Sequence, residues 1–98
     1  MEVEFAKKEL ERLATDPTYT AGYPPEVVKM FRRRIQFIVA APNDLALRNQ
    51  RSLRYEKLKG PRADQRSIRL NQQWRIILTV RTEQEQRLVT ILDIEDYH

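Results

Sequence analysis

Along the 98-residue chain the spacing of apolar positions changes from helical, about 3.6 residues, in the first half to alternating in the second. "EVEF" at residues 2–5 alternates from the outset, as a short strand would. Ala6, Leu10, Leu13 and Ala14 then recur at helical intervals until Asp16-Pro17 interrupts them, which predicts a first helix. "DPTYTAGYPP" reads as a turn-rich connector, and Pro24-Pro25 suit a first helical turn, where a missing N–H is no loss. In "EVVKMFRRRIQFIVAA", Val27, Phe31, Ile35, Ile38 and Val39 fall on one face, with Lys29, Arg32, Arg33 and Gln36 away from it, until Pro42 stops the helix. The triplet Arg32-Arg33-Arg34 reads as a solvated face of this second helix rather than an RNA contact.

Past "PNDLALRNQ" the period becomes two. "QRSIRL" sets Ile68 and Leu70 against Ser67 and Arg69, and "NQQ" turns into "WRIILTVR", where Trp74, Ile76, Leu78 and Val80 oppose Arg75, Ile77 and Thr79. A turn at "TEQEQ" leads to "RLVTILDIE", and "LRYEKL" precedes them all. These runs predict a meander of three or four antiparallel strands whose apolar face the two helices cover, an α+β fold on a small, mainly antiparallel sheet. The opposite face should then be open, carrying Ser67, Arg69, Arg75 and, at a strand edge, Arg66. Trp74 runs in phase with Ile76 and Leu78 and is expected in the core; Tyr97 is the better stacking candidate, with Tyr55 nearby.

Composition narrows the class. A chain of this length is expected to form one domain spanning residues 1–98. With no cysteine it has neither disulfides nor thiolate metal ligands, which favours a reducing compartment and hence the cytoplasm. No leader-like or membrane-spanning apolar run is present, so no membrane role is expected. The net charge of +4 is unevenly spread. Residues 1–47 balance seven basic against seven acidic side chains, whereas residues 48–75 carry seven Arg and two Lys against Glu56 and Asp64 alone. Residues 76–98 return to a net negative charge. A basic centre rich in Arg, whose fork matches phosphate geometry, points to a polyanion such as RNA.

"LKGPRADQRSIRLNQQWRIIL" at residues 58–78, together with the terminal "DIEDYH", resembles the HigB toxins of bacterial type II toxin–antitoxin systems, within the RelE superfamily. LKG, a following Arg, S-I, N-x-x-W-R-I and a final E-D-Y-H all recur here, and the helix order of the N-terminal half fits as well. The resemblance implies a RelE-like fold and a ribosome-dependent endoribonuclease, an mRNA interferase, that cleaves mRNA in the decoding site and arrests growth until an antitoxin binds it. It implies as partners mRNA on the ribosome and a HigA-like helix-turn-helix antitoxin, with operator DNA met only through the toxin–antitoxin complex. It implies no cofactor.

Cutting RNA without a metal needs a base for the 2′-hydroxyl, cations for the pentavalent phosphorane and an acid for the leaving 5′-oxygen. Lys59 and Arg75 match the family's catalytic positions, and Arg54, Lys57, Arg62, Arg66 and Arg69 are expected to hold the RNA backbone. His98, with an unperturbed pKa of ~6.5, suits acid or base chemistry, and the neighbouring Asp96 favours its protonated form and hence an acid role. Tyr97 completes the terminal group. Many relatives carry a histidine where this chain has Glu56; that carboxylate serves either as the base or as partner to a lysine on the same loop. Asp93 and Glu95, two apart on a strand with Asp96 and His98 beyond, resemble a metal set only weakly, and an acidic strand end pairing with Arg75 or Arg87 is the simpler reading. The rival class is a basic module that binds RNA or the ribosome without cutting.

Overall fold

The computed structural model describes residues 1–97. A five-stranded mixed sheet has β1 (Glu2–Phe5), β5 (Gln86–Asp96), β4 (Trp74–Glu83), β3 (Arg66–Arg69) and β2 (Glu56–Lys57) side by side in that order. Three helices, α1 (Lys8–Thr15), α2 (Pro25–Ala40) and α3 (Asp44–Asn49), precede β2, and one-turn 3₁₀ segments lie at Arg51–Leu53 and Gly60–Arg62. The expected meander is present as β2 to β5, each antiparallel to the next. The sheet is mixed because "EVEF" pairs parallel with β5, Val3 opposite Val89 and Phe5 opposite Ile91. Parallel pairing needs a long crossover, and everything between the two strands supplies it.

One face of the sheet is dry. Leu10 and Leu13 of α1 and Val27, Phe31, Ile35 and Ile38 of α2 close onto Ile68, Leu70, Ile76, Leu78, Val89, Ile91 and Ile94. Two positions on α2 differ from expectation. Val28 is buried, one turn before Phe31 on the same stripe, whereas Val39, one residue past the buried Ile38, falls at the edge of that stripe and is 55% exposed. Trp74 packs against the core, edge to face with Tyr23 at 5.4 Å between ring centroids.

The segment after Pro42 is helical where no element was assigned. The Asn43 side chain accepts from the Ala46 N–H, capping α3, and Leu47 and Leu53 anchor the segment in the core. "LRYEKL" consequently gives only the two-residue β2. The arginine triplet is not a solvated face either. Arg32 donates to the carbonyls of Leu13, Asp16 and Tyr19 at 2.9–3.0 Å, tying α2 to the end of α1. Arg34 donates to the carbonyls of Arg69 and Ser52, both at 3.2 Å, and Arg33 alone is exposed. Guanidiniums with several fixed donors satisfy loop carbonyls that no secondary structure reaches.

Candidate active site on the open sheet face

Strand alternation puts Glu56, Ser67, Arg69, Arg75 and Glu95 on the side away from the helices, because each is a register partner or same-strand alternate of the next. Arg75 is the centre of this face and its side chain is only 14% exposed. Its Nη1 donates to Ser67 Oγ at 3.1 Å and lies 3.5 Å from Glu56 Oε2, while its guanidinium carbon sits 4.0 Å from the centroid of the Tyr97 ring. One guanidinium is thus held from below by a buried hydroxyl, from β2 by a carboxylate and along its face by a ring. The Tyr97 N–H donates to the Gln73 carbonyl at 2.5 Å and the Gln73 amide donates to Asp96 Oδ2 at 3.0 Å, so the turn before β4 fixes the end of β5.

The face is less bare than expected. Arg62, in the β2–β3 loop, donates to Glu95 of β5 at 2.6 Å and to Gln65 at 3.0 Å. Glu95 is two strands from β3, about 10 Å across the sheet, so the loop must lean over the face to reach it. That overhang helps explain why Ser67 and Ile77 are buried on the side opposite the core. Lys59 caps the Gly60–Arg62 turn of the same loop, exposed and without a side-chain hydrogen bond or ion pair to any described residue. A β-bulge between Ile77 and Leu78, with Leu92 as the extra residue on β5, bends the strands beside this site.

Arg75, Glu56, Tyr97 and Arg62 therefore gather at one place, with Lys59 on the loop above, whereas Asp96 pairs in register with Trp74, alternates to the other side from Glu95 and is held by Gln73. His98 lies outside the described residues. Other members of the expected set are elsewhere. Lys57 pairs in register with Arg66, and both alternate to the opposite side from Glu56 and Ser67. Arg66 donates to the carbonyls of Ala63 and Gln65, both at 3.1 Å, and its charge acts on Tyr55. The expectation that Arg66 stands beside the open face is corrected by this alternation. Arg54 and Arg69 line a separate groove with Arg34 and Arg51. Alternation places Ser67 on the open face as expected, but its part in holding Arg75 was not legible until the register set it beside that guanidinium.

The carboxylates after the bulge divide. Asp93 pairs with Lys7 at 3.1 Å and Glu95 with Arg62, while Arg87 pairs with Asp44 and Arg75 with Glu56. The Asp93 contact also raises the pKa of Lys7. Asp93 and Glu95 thus serve different cations, and among the described residues no three His, Cys, Asp or Glu side chains come together to hold a metal. Among the described residues no helix is long and apolar enough to cross a membrane.

Tyr55 is not a stacking platform. It packs against the core, burial pushes its phenol pKa up, and its buried hydroxyl has no hydrogen-bond partner among the described residues. An orphaned buried hydroxyl carries an uncompensated desolvation cost of about 1–3 kcal/mol. Tyr55→Phe is therefore expected to stabilise the fold by about 1 kcal/mol, a rise in melting temperature of roughly 4–8 °C for a domain of this size. A lower melting temperature would mean that the hydroxyl is satisfied after all.

A small mixed sheet with three helices packed on it matches the fold of a RelE/YoeB-like toxin. The YoeB/ParE toxin from Agrobacterium tumefaciens superposes on it over 100% of both chains with a TM-score of 0.62 and 13% sequence identity, a likeness of fold. The HigB-like family, described as the RelE-like toxin of type II toxin-antitoxin system HigB, matches residues 3–98, and the chain belongs to it. No curated protein sequence matches. Membership makes this a type II toxin, and a type II toxin has an antitoxin partner.

Proposed function

We propose that the protein is an endoribonuclease that cuts mRNA on the ribosome without a metal, and that the Arg75 platform is its catalytic centre. The 2′-oxygen attacks the adjacent phosphorus, the bond to the 5′-oxygen breaks, and the products are a 2′,3′-cyclic phosphate and a 5′-hydroxyl. The observation that carries this reading is the way Arg75 is held. Ser67 fixes one edge of its fork, and Glu56 is an exchangeable partner. An ion pair at 3.5 Å to a carboxylate that is 53% exposed contributes at most about 1 kcal/mol, so a phosphate can replace it.

Arg75 in this reading neutralises charge developing on the phosphorane, in a position set before substrate arrives. Displaced Glu56 is then free to take the 2′-hydroxyl proton. Lys59 adds a second cation from the overhanging loop, and Arg62 holds the flanking backbone. Tyr97, 53% exposed, offers ring area to a base, and His98 is the proposed acid for the 5′-oxygen, with Asp96 beside it in sequence. The partners are mRNA on the ribosome and a HigA-like helix-turn-helix antitoxin, with operator DNA contacted through their complex. The test is primer extension on ribosome-bound mRNA. The wild-type protein should give new 5′ ends only when ribosomes are present, and Arg75→Ala should bind ribosomes without giving them. Equal cutting by both would refute the site, and no cutting by either would leave a binding module.

A further inference from the structure

Beside the Arg75 platform lies a groove of about 650 Å³ lined by Arg34, Arg51, Ser52, Arg54, Arg69 and Leu70. Its four guanidiniums come from three elements: α2, the 3₁₀ turn with its C-cap, and β3. None of them is ion-paired to any described residue, whereas Arg12, Arg62, Arg75, Arg81 and Arg87 all are. Arg34 and Arg69 are nevertheless fixed. Arg34 spends two donors on the carbonyls of Arg69 and Ser52, and Arg69 spends its Nε on the Asn71 carbonyl at 3.1 Å. Each keeps further N–H groups of its fork for a ligand. Arg54 is held in the left-handed backbone region, φ 49°, by the turn that ends at Leu53.

Four like charges around one concavity repel one another, and a purely structural cluster would be expected to include carboxylates, as the pairs elsewhere on this surface do. Burial lowers the pKa of Arg34, yet a guanidinium remains charged throughout the physiological range. The lining offers no aromatic side chain and one leucine, so a protein segment would find little to anchor it. Planar forks spread over several elements match a run of phosphates better than a single small anion. Arg69 also stands opposite Arg75 in the β3–β4 ladder, so the groove continues from the candidate active site.

We propose that the Arg34–Arg51–Arg54–Arg69 groove is an RNA phosphodiester-binding site, distinct from the cleavage centre and contiguous with it. It deepens the ribonuclease reading by giving the RNA strand a second hold, but binding there does not require the chain to cut. Arg51 and Arg54 are the residues to change, because Arg34 and Arg69 also secure backbone carbonyls.

The experiment measures affinity against salt for a 2′-O-methyl oligoribonucleotide, which cannot be cleaved, and for an RNA hairpin of the same length. Two lost phosphate contacts should reduce the slope of log K against log salt by about 1.4 and weaken binding roughly 10- to 30-fold near 0.1 M salt. That result is expected for Arg51→Gln/Arg54→Gln. The control Lys29→Gln/Arg33→Gln removes the same charge from residues of α2 that line a different concavity and should change the slope much less. Loss with the single strand assigns the substrate strand, and loss with the hairpin alone assigns structured RNA; both support the site. Equal losses in the groove and control variants would overturn it, as would unchanged RNA binding accompanied by weakened antitoxin binding. Since the probe cannot react, a failed cleavage assay leaves this result standing, and a flat salt response leaves the Arg75 result standing.

Discussion

Arg75→Ala is expected to lower mRNA cleavage on the ribosome by about 10²–10³-fold, the size of effect seen when one preorganised donor to a developing oxyanion is removed. Binding to the ribosome should persist, since the other arginines of the chain remain. Arg75→Lys should recover only part of the loss, because an ammonium restores charge but cannot bond Ser67 and a phosphate oxygen through one planar fork. The alanine variant leaves the buried Ser67 hydroxyl without its guanidinium partner, a cost of about 1 kcal/mol that a thermal melt would register separately. A variant with wild-type melting behaviour and wild-type cleavage would remove Arg75 from the mechanism.

Shortening the chain to end at Asp96 is expected to cost still more, about 10²–10⁴-fold from loss of the proposed acid together with whatever Tyr97 contributes to positioning. The fold should survive this deletion. Tyr97 is half exposed, and its described contacts are the bond to the Gln73 carbonyl and the stack on Arg75. Two point variants divide the effect. Tyr97→Phe keeps the ring over Arg75 and should retain most activity, whereas His98→Ala should reproduce most of the loss if the imidazole supplies the proton. Single-turnover cleavage of ribosome-bound mRNA reads both. Full activity in the shortened chain would exclude an acid at the carboxyl end.

The fold was legible in sequence wherever burial imposed a period. The α2 stripe and the alternation in "WRIILTVR" had to match the core, and they did so apart from Val39 and Val28 at the margins. "DLALRN" was unreadable because a six-residue helix with one fully buried leucine has too few turns to show a period. The parallel partner of β1 was equally hidden, since sequence alternation reports a strand but not its neighbour.

At the candidate site, the family resemblance drew attention to Arg75 and Glu56 and residue type to Tyr97, and the strand register and the ring contact on Arg75 bring them together. Type could not sort the other cations. Arg66 and Arg69 read alike in sequence, yet alternation sends one to the helix side and lets the other line the second groove. Arg34 looked solvent-facing because its role depends on carbonyls 18 and 35 residues away. The weaving of Glu56 with Arg75 rather than with a lysine of its own loop likewise follows from pairing between β2, β3 and β4.

The chemistry is tested most directly at the 3′ end of the upstream mRNA fragment released on the ribosome. Attack by the 2′-oxygen under the Arg75 guanidinium predicts a 2′,3′-cyclic phosphate, and a single 2′-deoxy substitution at the cleaved nucleotide should abolish its formation. A 3′-hydroxyl on that fragment, or undiminished cutting at the deoxy position, would contradict it.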